Sequence, residues 1–192
     1  MPKPLSGNVA IVGGSLTGLA TGIGLARHGI PVSIFEQAAG EERGGTGLGV
    51  DRALITQTTG CDARGDSTGR EVPVVDEGHR ETSTWLSIYR WLRTIADVTP
   101  LLRIHESTRV YAVSYDENAA YLSGPSVDSV ADVVMGADGY RSVVRRVVCP
   151  NQPHASYGGF IIWRALVLES WLPNRFLEHT WLGGGRLPFP EA

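Results

Sequence analysis

Cysteine is scarce: Cys61 and Cys149 are the two examples in 192 residues, far apart and outside any C-x-x-C pattern. That excludes a cysteine metal site and a disulfide framework, and it fits a reducing cytoplasm. Long apolar runs are missing as well. Ile161-Ile162-Trp163 is cut by Arg164, far short of a membrane span, so a soluble chain with no membrane partner is expected. There is no excess of basic charge, because a net charge of −3 gives no footprint for a nucleic-acid partner. Charged residues make up 19% of the chain and glycine accounts for 24 residues, a balance typical of glycine-loop α/β domains rather than of disordered chains. The length suits one domain or one and a fraction, with a core of its own.

What is present begins near the first residue. Val9, Ile11 and Val12 form a short apolar run of the kind that makes a buried parallel strand, and Gly13-Gly14-Ser15-Leu16-Thr17-Gly18 follows at once. Gly13 permits a tight turn and Gly18 close packing of helix on strand. Leu16, Leu19, Ile23 and Ala26 recur at helical spacing, His28-Gly29 supplies a stop, and Pro31 returns the chain to extended conformation before Val32, Ile34 and Phe35. Glu36 closes this second strand and places a carboxylate where a ribose diol would lie. A G-x-G-x-x-G turn is weak evidence alone, and Ser15 replaces its middle glycine. Strand before, helix after and acid at the right distance are the conditions that confirm a dinucleotide fingerprint. The rival is a βαβ unit that merely packs. A secretory signal after Lys3 is not expected, because five glycines between Gly13 and Gly24 interrupt the apolar stretch and Arg27, Glu36, Glu41 and Glu42 follow.

Ala38 to Val50 holds five glycines and reads as a loop without a regular element. Arg43 within it is either a fixed charge for a phosphate or ribose, or a solvated side chain on a mobile loop. Ala53 to Arg80 carries no readable period. Thr82 to Val98 predicts a helix with Trp85, Ile88, Leu92 and Ile95 on one stripe, and its aromatics read as core. Leu101, Leu102 and Ile104 predict a further parallel strand, Arg109 to Tyr115 and Asn118 to Leu122 a hairpin around Asp116-Glu117, and Val130 to Met135 an apolar strand. That strand runs into Gly136-Ala137-Asp138-Gly139-Tyr140-Arg141-Ser142, which sets one carboxylate at the crevice where parallel sheets bind ligands. Asp-Gly is also an ordinary turn, and Arg145-Arg146 an ordinary solvated helix face.

Taken together, the Gly13-to-Gly18 turn, Glu36, the Arg43 glycine loop and Asp138-Gly139-x-x-Ser142-x-x-Arg145 resemble the FAD-dependent aromatic hydroxylases of the para-hydroxybenzoate hydroxylase fold. The dihydroxypyridine hydroxylase branch is the nearest in pattern, with Gly-Gly-Ser in its turn and a Tyr-x-Gly-Phe/Tyr-x-x-Trp-Arg strand opening the substrate domain. Tyr157-Gly158-Gly159-Phe160-Ile161-Ile162-Trp163-Arg164 matches that strand. The resemblance runs from about Asn8 to Phe189. It implies an α/β fold in which a Rossmann-like FAD-binding βαβ, a parallel sheet and a β-meander occupy 1–153, with the first strands of a mixed-sheet substrate domain in 154–192.

The same resemblance implies site residues. Amides near Gly13, Gly14, Ser15 and Leu16 would hold the FAD pyrophosphate at the helix start, with Gly18 behind them. Glu36 would take the adenosine ribose, Gln37 would stand where many relatives carry arginine, Arg43 would reach the ribose or pyrophosphate, Val110 would flank the adenine, and Asp138-Gly139 would serve the shared cofactor motif. NADH or NADPH would reduce the flavin, and O₂ would then hydroxylate a small aromatic or heteroaromatic ring; the flavin does that chemistry, so no side chain is assigned as catalytic. Family members are about twice as long. A second Gly-Asp motif and the rest of the substrate sheet would lie beyond Ala192, so a truncated, non-catalytic FAD- or nucleotide-binding module is the alternative. An NAD(P)-dependent Rossmann reductase is a further one, disfavoured because Lys3 is the sole lysine and no Tyr-x-x-x-Lys pair exists. The apolar segment His179 to Phe189 would present an open sheet edge, through which self-association is expected.

Overall fold

The computed structural model describes residues 7–40, 47–61, 75–77, 80–161 and 171. Four strands form a parallel sheet: β1 (Val9–Val12), β2 (Val32–Phe35), β6 (Leu102–His105) and β10 (Val133–Gly136), in the order β10-β1-β2-β6. Val9 stands beside Val32 on one side and Val133 on the other, so β1 is central. Strand order reverses there. The chain moves outward from β1 through β2 to β6 and then crosses to β10 on the far side, which opens a crevice at the carboxyl ends of β1 and β10.

Both faces of this sheet are covered, and the pleat decides which residue goes where. Val9, Ile11, Val32 and Ile34 pack with Leu19, Ile23, Ile88, Leu92 and Ile95 from α1 (Leu16–Arg27) and α3 (Trp85–Val98). Ala10, Val12 and Phe35 face the other way. They meet Val110, Leu122, Val127 and Ala131, together with Val144 of α4 (Val143–Val148). Those partners come largely from an antiparallel meander of β7 (Ala112–Tyr115), β8 (Ala120–Gly124) and β9 (Val127–Ala131). The meander thus takes the place of a crossover helix between β6 and β10.

Several elements differ from the sequence reading. Gly47–Val50 is a strand, β3, not loop, because it pairs with β5 (Arg80–Thr84), which also pairs with β4 (Val75–Glu77). Inter-strand hydrogen bonds outweigh the poor strand propensity of its two glycines. The predicted helix over 82–98 begins three residues later. Residues 82–84 belong to β5, and Thr84 caps α3 by accepting from the Ser87 amide at 3.1 Å. Val130 to Met135 is two strands broken at Asp132, where the chain leaves the meander for the parallel sheet. At the start of the unread stretch, from one residue before it, runs α2 (Arg52–Thr59), capped by Asp51 and ended by Gly60 in the left-handed region. Arg27 ties it to α1 by donating to the carbonyls of Gln57 and Thr58 at 3.2 and 2.9 Å, which satisfies acceptors at the helix end.

Tyr157–Ile161, the start of the expected substrate-domain strand, forms no strand, and Tyr157, Phe160 and Ile161 are exposed. No described segment offers them a pairing partner. Arg43 and the His179–Phe189 segment lie outside the described residues. No helix among the described residues is long and apolar enough to cross a membrane.

Candidate functional site

The crevice at the strand ends holds a cavity of about 660 Å³. Gly13, Ser15, Glu36, Gln37, Val110, Asp138 and Gly139, all singled out from sequence, line it. Gly14, Leu16 and Gly18 do not. They build the turn behind it.

Sterics dictate the first turn. Gly13 has φ +104°, and a Cβ there would meet the Ala137 carbonyl oxygen at 2.4 Å, so this turn and the one after β10 touch through backbone alone. A Cβ on Gly18 would meet the Gly13 carbonyl oxygen at 1.9 Å. The close approach brings the amino end of α1 to the crevice.

Amide accounting narrows what that helix end can offer. The Gly13 amide donates to the Phe35 carbonyl at 2.9 Å, and the Gly14 amide to Glu36 Oε2 at 2.7 Å. Both are committed. Among the described residues the amides of Ser15, Leu16, Thr17 and Gly18 have no backbone acceptor, and Ser15 occupies the cap position without a side-chain cap bond. These four point along the helix axis at its positive end, a ready acceptor site for a pyrophosphate.

Glu36 is held by both ends. Its Oε1 accepts from the Ala38 amide at 2.8 Å while Oε2 takes the Gly14 amide, and a Cβ on Gly14 would press on Glu36 Cβ at 2.9 Å. Each carboxylate oxygen keeps a second lone-pair direction for a ligand hydroxyl. Behind it, Phe35 stacks on His105 with ring centroids 4.9 Å apart.

Asp138 anchors the second turn. Its Oδ2 accepts from the Val143 amide at 2.7 Å, and the Ser142 hydroxyl accepts from the Arg145 amide at 2.9 Å, so α4 is capped twice. Oδ1 is buried and has no partner among the described residues. A buried carboxylate oxygen without a donor is costly, and a ligand hydroxyl or bound water would satisfy it.

Sequence reasoning missed Thr17, Thr108, Arg109, Tyr140 and Arg141 as cavity residues. Tyr140 and Arg141 sat inside the Asp-Gly motif and Arg109 beside Val110. Thr108 carried no local signal: its place follows from its amide donating to the Glu36 carbonyl at 2.8 Å, a contact across the sheet ends.

A glycine turn, a helix end and an acid at a sheet switch point define a Rossmann-like α/β fold with a crevice at its strand ends. No family model matches the chain. It is 28% identical over 195 residues to 2,6-dihydroxypyridine 3-monooxygenase of Paenarthrobacter nicotinovorans, covering 93% of this chain and 47% of the relative. FAD-dependent monooxygenase sor5 of Hypocrea jecorina is 31% identical over 186 residues, covering 83% and 40%. Among solved structures, 2,6-dihydroxypyridine-3-hydroxylase from Arthrobacter nicotinovorans superposes with TM-score 0.57 at 25% identity, over 77% of this chain and 41% of that one. CtdE in complex with FAD and substrate 4 shares the fold, with TM-score 0.62 at 22% identity over 75% and 40%. The homologues are FAD-dependent aromatic hydroxylases, and the chain spans about half the length of the curated relatives it matches.

Proposed function

We propose that this chain binds FAD through the crevice at β1 and β10 and forms the flavin-nucleotide portion of an aromatic-ring monooxygenase that uses NADH or NADPH and O₂. One observation carries the reading: the free amides of α1, the Glu36 carboxylate and the unpartnered Asp138 oxygen line or border a single cavity. The similarity across 83% of the chain to a relative named as an FAD-dependent monooxygenase supports FAD over other dinucleotides. Residues 1–153 act as the FAD-binding domain and 154–192 as the first part of a substrate domain.

In this reading the amides of Ser15 to Gly18 take the pyrophosphate, Glu36 the adenosine ribose, and Val110 packs on the adenine. Gln37 lines the adenosine end. Asp138 keeps α4 in place with one oxygen and receives a cofactor hydroxyl with the other. Arg43, outside the described residues, is assigned to the ribose or pyrophosphate. Bound flavin supplies the oxygen chemistry; the protein positions it and shields it from water. The substrate is a small aromatic or heteroaromatic ring, and the compartment is the cytoplasm, in keeping with two widely spaced cysteines.

The visible spectrum and FAD fluorescence of the purified chain test this. Saturable FAD binding is expected, weakened about tenfold in Asp138→Asn with little change in melting temperature, because asparagine retains an acceptor for the Val143 amide. A colourless protein that rejects added FAD while folded would overturn the reading and favour a different nucleotide.

A further inference from the structure

We propose that Arg93 of α3, which does not line the crevice cavity, is a positioning residue for Glu36 and tunes nucleotide binding from outside the site, a role that rests on Glu36 being the ribose ligand of the proposed FAD site. Glu36 is laid against the turn that follows β6. Its amide donates to the His105 carbonyl at 2.9 Å, its carbonyl accepts from the Thr108 amide at 2.8 Å, and the Ala38 carbonyl accepts from the Ser107 amide at 3.1 Å. The carboxylate closes the arrangement by taking the Ala38 amide. Residues 105–108 are thus the backbone template for 36–38, and where they sit decides where the carboxylate sits.

That template is not relaxed. Ser107 has φ +52°, a left-handed backbone that disfavours any residue with a Cβ. Such a conformation persists where its surroundings hold it. Arg93 supplies a hold one residue away: its Nη1 donates to Glu106 Oε1, and its Nε donates to Asp97 Oδ1 at 2.8 Å. The two carboxylates fix the guanidinium plane between the next turn of its own helix and the turn after β6. The Arg93 side chain is 26% exposed and that of Glu106 36%, so water screens the pair only in part.

The mount for Arg93 is firm, because Leu92, Ile95 and Ala96 of the same helix are buried in the core. The amino end of α3 reaches the same segment by packing, since Trp85 and Tyr89 line a small cavity with Gly14, Glu36 and Ala38. One helix therefore bounds 36–38 directly at its first turns and, through Arg93 and Glu106, by way of the turn after β6. Loss of Arg93 releases Glu106, lets Ser107 relax and moves the amides that fix Glu36. Hydrogen bonds from a ribose to that carboxylate weaken with distance and angle, so nucleotide affinity falls.

Two readouts on the full chain test this. In NMR spectra without ligand, the Gly14 and Ala38 amide resonances report their bonds to Glu36, and both are expected to move in Arg93→Met and to return toward wild type in Arg93→Lys. In fluorescence titration with FAD, affinity is expected to fall about threefold in Arg93→Met and in Glu106→Gln, with no further loss in the double variant, because the pair acts as one contact. Ser107→Gly separates positioning from stability: glycine adopts φ +52° without strain, so the melting temperature holds or rises while FAD affinity falls by a similar factor. Unmoved Gly14 and Ala38 resonances, wild-type FAD affinity in Arg93→Met, additive losses in the double variant, or a Ser107→Gly melting temperature that falls in step with affinity would overturn the role. Should Arg93→Met fail to fold, Glu106→Gln carries the same two readouts. If the wild-type chain rejects FAD, the flavin reading falls, while moved amide resonances leave the positioning of Glu36 by Arg93 standing.

Discussion

The turns after β1 and after β10 meet at one crevice and both lead from a parallel strand into a helix, yet they treat the helix end in opposite ways. After β1, Ser15 provides no side-chain cap, and the amides of Ser15 to Gly18 find no backbone acceptor among the described residues, with Ser15 and Thr17 lining the crevice. After β10, Asp138 and Ser142 consume the amides of Val143 and Arg145, and what the turn offers instead is a spare carboxylate oxygen and arginine side chains. Topology alone does not make a phosphate site. An uncapped helix receives an anion, while a capped one becomes a rigid mount for side chains.

Three measurements would break or sharpen this contrast. The largest effect is expected from alanine at the two positive-φ glycines. Gly13→Ala would both strain the backbone and drive a Cβ into the Ala137 carbonyl, costing about 3 kcal/mol, whereas Gly139 (φ +72°) has nothing within 4 Å of its added Cβ and would lose about 1–2 kcal/mol. Equal losses in chemical denaturation would show that the turns do not touch as described. Next comes the cap pair. Ser142→Ala should cost about 1 kcal/mol by freeing the Arg145 amide, and Ser15→Ala almost none, because its hydroxyl caps nothing. Thermal melts of the two variants would decide it; a reversed order would refute the assignment of free and filled helix ends.

The smallest effect lies in the meander that bridges the two turns. The Tyr121 hydroxyl, then the amides of Asn118 and Ala119, donate to Asp116 and hold its carboxyl below the usual range. A depressed carboxyl favours the folded state above the unfolded pKa, and that contribution disappears as pH falls through the folded one. Asp116 is fully exposed, so the hairpin should loosen slightly rather than melt. NMR titration should show the Asp116 midpoint rising in Tyr121→Phe; an unmoved midpoint would mean the hydroxyl bond is not what holds it.

Legibility followed sequence distance. The βαβ unit could be read because its strands, turn and helix lie within thirty residues and announce themselves by local period and glycine placement. The β3 strand could not. Its glycines and the region of 80–84 are poor strand signals alone, and pairing across more than thirty residues makes both into a sheet. The same holds at the site. Glu36 and Asp138 were visible as acids at strand ends, but the commitment of the Gly14 amide to Glu36 was not, since no pattern records which donor a side chain consumes.

By itself the amino-acid sequence determined where the two turns at the strand ends fall, because steric rules for glycine and the pleat of short apolar strands act locally. Tertiary structure decided which amides stay free, which carboxylate oxygen goes unsatisfied, and that Arg109, ahead of the meander, lines one cavity with Arg141 of the second turn and Arg146 of α4. The last of these depends on the β6-to-β10 crossover, which brings together side chains that sequence keeps more than thirty residues apart.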